Sequence, residues 1–123
     1  MKTEKKKPED LKDRTKAFAL RVIKMYTALP RNDEVARVLG KQVRRSGTSV
    51  GAHYREAIRA RSTAEYVSKL EGGMQELEET VYWFELIVGA GLYTSQQMAD
   101  LQDEADQLMA ILTTIVKKTK ANR

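Results

Sequence analysis

Residues 62–91 read STAEYVSKLEGGMQELEETVYWFELIVGAG, and the spacing within them decides the fold class. Ser62-Thr63-Ala64-Glu65 has the form of a capping box, in which a hydroxyl and a carboxylate each satisfy a free backbone N–H where a helix begins. Val67, Leu70, Met74, Leu77, Val81, Phe84 and Val88 then recur at the three-four spacing of one helix face. Gly89 and Gly91 end the run.

The same rhythm continues on both sides. Upstream, Leu11, Thr15, Phe18, Val22, Met25 and Leu29 predict a first helix from about Asp10 to Leu29, with Ala19, Ile23 and Tyr26 widening its apolar stripe. Pro30 stops it. Asn32 is the expected cap of a second helix, which extends to about Arg61 with Leu39, Val43, Val50, Tyr54 and Ala57 on one face. Gly40, Gly47 and Gly51 fall within roughly a 40° arc of that helix. They predict either close approach of another helix or a break near Gly47. Downstream, Thr94 or Ser95 caps a fourth helix carrying Met98, Leu101, Ala105, Leu108, Leu112, Ile115 and Thr119. Lys117, Lys118 and Lys120 suit its negative end.

No strand-like alternation interrupts this pattern. Four long helices with short connections predict an all-α, antiparallel, up-down-up-down four-helix bundle. The bundle is expected over residues 10–120 as one domain, behind a disordered basic tail at residues 1–9. The 123 residues contain no cysteine, which excludes disulfides and thiolate metal sites and fits a cytoplasmic location. The N-terminus lacks the apolar core of a secretory signal, and no stretch approaches the roughly 20 apolar residues of a membrane span. No membrane partner is expected.

Charge is unevenly spread. Residues 1–61 carry seventeen Lys or Arg against seven acids, residues 62–116 carry Lys69 alone against ten acids, and residues 117–123 add four bases. Such asymmetry suits a polyanionic partner or an acidic face on another copy. On the second helix Arg37, Lys41, Arg44, Arg55 and Arg59 lie within roughly a 60° arc, with Arg45 at its edge. These six are the candidate nucleic-acid-binding residues, since aligned cations neutralise a phosphate backbone. A solvated face, or a surface paired with a neighbouring subunit's acids, is the alternative. Trp83, Leu86, Ile87 and Ala90 lie off the assigned core stripe of the third helix and form the candidate oligomer interface. Cover by a loop or by the tail would also account for them.

Catalytic chemistry finds little support. His53 is the single histidine. A di-iron bundle needs a Glu-x-x-His pair on each of two helices, and Val50 stands where that glutamate would precede His53. A helical-ribonuclease arrangement needs an arginine at position 46, 47 or 48, and those positions hold Ser46, Gly47 and Thr48. Gly72-Gly73 is not followed by the Lys-Ser/Thr of a phosphate loop. No catalytic residue, metal or cofactor is expected. Ser46, Ser49 and His53 form a polar strip suited to a helix–helix contact.

The stretch Arg44-Arg45-Ser46-Gly47-Thr48-Ser49-Val50-Gly51-Ala52-His53-Tyr54-Arg55-Glu56-Ala57 resembles the signature of the bacterial four-helix-bundle proteins encoded in intervening sequences of 23S ribosomal RNA genes. Asp10-Leu11, Phe18-Ala19, Ala64-Glu65-Tyr66, Lys69-Leu70, Glu78-Glu79-Thr80, Tyr82-Trp83 and Gly91-Leu92 extend the resemblance over nearly the whole chain. It implies an antiparallel bundle that assembles as a ring, commonly a pentamer. It also implies a distant similarity to the accessory protein of diversity-generating retroelements, which binds nucleic acid and a reverse transcriptase. His53 departs from the asparagine usual in this family. The expected function is a non-catalytic homo-oligomeric scaffold for RNA or DNA. A protein-interaction adaptor and a purely structural ring are the alternatives.

Overall fold

A computed structural model describes residues 8–122, with side chains from Leu11 onward. Four helices follow one another: α1 Pro8–Thr27, α2 Glu34–Ala57, α3 Thr63–Gly89 and α4 Ser95–Ala121. Helix α1 begins at Pro8, whose missing N–H is no loss in a first turn. Pro8 and Glu9 therefore belong to α1, and the remainder of the expected tail lies outside the described residues.

Each later helix is started by a side-chain oxygen. Asp33, one residue beyond the expected Asn32, accepts from the Ala36 N–H at 2.9 Å. Ser62 accepts from the Glu65 N–H at 3.0 Å. The Glu65 carboxylate, however, takes the Arg61 N–H at 3.1 Å, so the reciprocal bond is displaced by one residue. Thr94 and Gln97 complete the capping box of α4.

The helices pack in the cyclic order α1–α2–α3–α4, with α4 returning to α1 and the diagonal pairs apart at the backbone. This is the all-α bundle expected from the sequence. Phe18 of α1 and Phe84 of α3 bridge the diagonal edge to face, ring centroids 6.4 Å apart. Val22, Val43, Leu70, Leu77, Ile87, Leu108 and Leu112 are fully buried around them.

Three features depart from the sequence reading. First, α2 is unbroken through Gly47 but ends at Ala57, because Arg59 N–H and Ala60 N–H turn back to Glu56 and Ala57 carbonyls in tighter bonds. Second, the inward face of α3 is rotated: Gly73, Thr80 and Ile87 are buried, and Met74, Val81 and Val88 are half-buried. The close approach of α2 draws that face toward itself. Third, Val116 takes the core place expected of Ile115 and Ile23 is exposed.

The approach of α1 to α2 is unusually close. A Cβ at Gly47 would meet Val22 Cγ1 at 2.9 Å, and one at Gly40 would meet Tyr26 Cδ1 at 2.8 Å. Only bare backbone fits there.

Candidate nucleic-acid interface

The four seams between neighbouring helices are closed by different chemistry. Arg14 clamps Glu104 with two bonds, 2.9 Å from Nε and 2.7 Å from Nη2, across α1–α4. This carboxylate pairing raises the Arg14 pKa above its ordinary value, against the opposing effect of burial. Lys120 pairs with Glu71 at 2.8 Å across α3–α4. Across α2–α3, Arg45 reaches Glu79 at 2.7 Å and Glu76 at 3.3 Å, and Lys69 reaches Glu56 at 3.2 Å.

The α1–α2 seam has no such pair among the described residues. It carries Arg37, Lys41, Arg44 and Arg55 along α2, all exposed and none ion-paired with a described residue. Two depressions run beside this row. One, about 330 Å³, is lined by Lys16, Ala19, Thr48 and Arg55. The other, about 390 Å³, is lined by Tyr26, Pro30, Arg31, Arg37 and Lys41. Of the two acids on α2, Glu34 sits in the first turn and Glu56 is held by Lys69.

Within the row, the Arg44 guanidinium lies 4.8 Å over the Tyr26 ring centroid and donates a long 3.4 Å bond to the Tyr26 hydroxyl. This cation–π contact and the hydrogen bond hold a flexible cation in one place. The six predicted cations thus divide. Arg37, Lys41, Arg44 and Arg55 form the row. Arg45 faces the other way, tied to the α3 carboxylates, and Arg59 lies past the end of α2. Lys16, Arg31 and Tyr26 join the seam without having been singled out from the sequence. Their position follows from the glycine face of α2, which fixes which side of α1 lies against it.

The expected oligomer surface is also redrawn. Ile87 is completely buried within the subunit, so it belongs to the core. Trp83 and Leu86 are half-buried against that core and Ala90 is exposed. Tyr82, 53% exposed, lies against Trp83 with ring centroids 5.2 Å apart. On α2, Val35 and Val38 are 51% and 54% exposed. The α2–α3 register, set where Ser46 meets Thr80, brings them level with the last turn of α3. Val35 and Val38 at this end of α2, and Tyr82 farther along α3, are thus exposed apolar side chains.

His53 packs over the second glycine face. A Cβ at Gly72 would stand 3.0 Å from its ring. Glu56 and Glu76 oxygens lie 3.9 and 4.0 Å from its two nitrogens. Among the described residues no three His, Cys, Asp or Glu side chains gather where a metal ion would sit. None of the helices is long and apolar enough to cross a membrane.

The fold and this seam define a small antiparallel helical bundle with one cationic face whose charges have no carboxylate partner among the described residues. The chain belongs to the 23S rRNA-intervening sequence protein family, whose model matches residues 9–114. It is similar to a protein of unknown function from the S23 ribosomal protein family of Bacteroides thetaiotaomicron VPI-5482, known from its crystal structure. The two share 34% identity and a TM-score of 0.84, over 89% of this chain and 97% of that one. No curated protein matches the chain.

Proposed function

We propose that this protein is a non-catalytic, homo-oligomeric scaffold of the cytoplasm that binds nucleic acid, RNA foremost, along the α1–α2 seam. The observation that carries the proposal is the contrast between seams. Three are neutralised by interhelical ion pairs, whereas Arg37, Lys41, Arg44 and Arg55 stand in a row with no carboxylate partner among the described residues. Aligned cations of this kind exchange condensed counterions for themselves when they meet a phosphate backbone. In a ring, pentameric by the family resemblance, the row recurs in every subunit and weak contacts combine through effective concentration.

The exposed apolar side chains Val35, Val38 and Tyr82 support self-association. It equally suits a second reading, an adaptor docking an enzyme such as a reverse transcriptase. The sequence resemblance to the retroelement accessory protein favours that reading.

The test is binding of a labelled structured RNA across a salt series, with native mass measured alongside. Wild type should bind and weaken steeply as salt rises. A variant with Arg37, Lys41, Arg44 and Arg55 all changed to Glu should keep its mass and lose binding. Wild type that fails to bind at low salt overturns the nucleic-acid reading and leaves the adaptor.

A further inference from the structure

A seam between two consecutive antiparallel helices is closed at one end by the segment that joins them. Residues 28–33, between Thr27 and Glu34, close the α1–α2 seam in this way. The depression of about 390 Å³ lies at that closed end. Three cations line it: Arg31 from the connection, and Arg37 and Lys41 from successive turns of α2. All three are exposed, and none is ion-paired with a described residue. No carboxylate is among the described residues that line it. Asp33, close by in the chain, is engaged in capping the Ala36 N–H. Tyr26 lines the depression from α1 and brings a hydroxyl, a group that can donate to a phosphate oxygen.

This concentration of charge exceeds what an internal phosphate needs. A phosphodiester carries one negative charge and has chain on both sides. A strand lying along the row meets the connection at this end and has no further groove to follow. A phosphate monoester answers both conditions. It ends a chain, and near neutrality it carries a charge of about −1.5 to −2. The depression beside Arg55 differs on both counts. One cation from each helix, Lys16 and Arg55, lines it, and no connection between α1 and α2 runs there.

We infer that the closed end of the α1–α2 seam is a pocket for the terminal phosphate monoester of a nucleic-acid strand laid along the row, with Arg31 the cation that reads the end. The inference rests on the nucleic-acid reading of the seam and narrows it to strand termini. Contacts to phosphate carry no base information, so ends of any sequence fit.

The experiment titrates three internally labelled single strands of one sequence and about 12 nucleotides, a length within the range of single-strand binding sites. One is phosphorylated at its 5′ end, one at its 3′ end and one at neither. Each is followed by anisotropy with wild type, Arg31→Gln and Lys118→Gln. Wild type should bind at least one phosphorylated strand about fivefold more tightly than the hydroxyl-ended strand, from one added charge among three exposed cations. Which end is favoured gives the direction of the strand in the seam. Arg31→Gln, at an exposed position of the connection, should keep the circular dichroism of wild type and erase the preference. Lys118→Gln removes the same charge from the last turn of α4 and should keep the preference. Inorganic phosphate at the concentration of the probe should leave the phosphorylated strand bound, because the row adds its own contacts. Displacement at that concentration would make the pocket a site for free phosphate and overturn the strand-end inference. Equal wild-type affinity for all three strands overturns it too, as does an Arg31→Gln variant that keeps the preference. In these cases binding of internal phosphates by the row survives. Failure of wild type to bind any strand at low salt overturns the nucleic-acid reading itself, and this inference with it.

Discussion

Ser46 of α2 and Thr80 of α3 share a hydrogen bond of 2.8 Å between hydroxyls that are both fully buried. Thr80 also bonds the Glu76 carbonyl at 2.8 Å, whereas Ser46 lies 3.5 Å from the Val43 carbonyl. The pair fixes the register of α2 against α3 without leaving either buried hydroxyl alone. Ser46→Ala and Thr80→Val should each lower stability by about 1–2 kcal/mol. The double variant should cost less than the sum of the two, with a coupling of about 1 kcal/mol in urea denaturation. Strict additivity would show the two hydroxyls to be independent.

Two glycines predict opposite signs for one substitution. Gly47→Ala would drive a methyl to within 2.9 Å of Val22, a branched side chain fixed in the core, and should cost about 1–3 kcal/mol. Gly89→Ala meets nothing within 4 Å and should be neutral or stabilising, by up to about 1 kcal/mol. Thermal melts of the two variants check the prediction.

Tyr93 ties the α3–α4 connection to α1 by donating its hydroxyl to the Met25 carbonyl at 2.9 Å. Burial raises its pKa above the ordinary value of 10.0. The folded state therefore holds this proton more tightly than the unfolded chain does. The associated stability is complete below pH 10.0 and is lost as pH rises through the raised value. Tyr93→Phe should cost about 1 kcal/mol near neutrality through the lost bond. It should also show a shallower loss of stability above pH 10 than wild type.

The apolar end of the α2–α3 face can be tested through mass alone. Val38→Lys with Val35→Lys alters two half-exposed side chains, so stability of the subunit should move by less than about 0.5 kcal/mol. If the proposed self-association uses these side chains, light scattering should show an oligomeric wild type and a monomeric variant. An unchanged assembly mass would place the subunit contact elsewhere.

Much of this architecture is legible in the residue spacing because helix periodicity is a local property. The four helices and their sequence of turns follow from it; whether α2 breaks near Gly47 is open in the spacing alone, and the structure carries the helix through. The phase of α3 does not. Val81 and Thr80, or Val88 and Ile87, are neighbours on the same helix, and which one turns inward depends on how closely α2 approaches. That distance is set by Gly73 against the Val50 carbonyl and by the Ser46–Thr80 bond, which are tertiary facts. Ile87 was lost to the core for this reason. The basic row was readable as an arc on α2, but its partner groups were not. Arg45 looks like its neighbours in sequence, and only the register of α3 sets Glu76 and Glu79 beneath it. Tyr26 reads as part of an apolar stripe until its ring is seen against Gly40 with the Arg44 guanidinium over it.

The glycine face that lets α1 and α2 meet has a thermodynamic consequence. With Gly47 on Val22 and Gly40 on Tyr26, the two helices have no slack in which to shift, so the backbone bearing the cations is ordered before any ligand arrives. The ordering entropy of an encounter then falls almost wholly on the incoming chain, and the heat capacity of binding should carry no signature of protein folding. Flexible strands would be moulded to the protein, and a stiff ligand of the wrong curvature would be turned away without any contact dedicated to rejecting it.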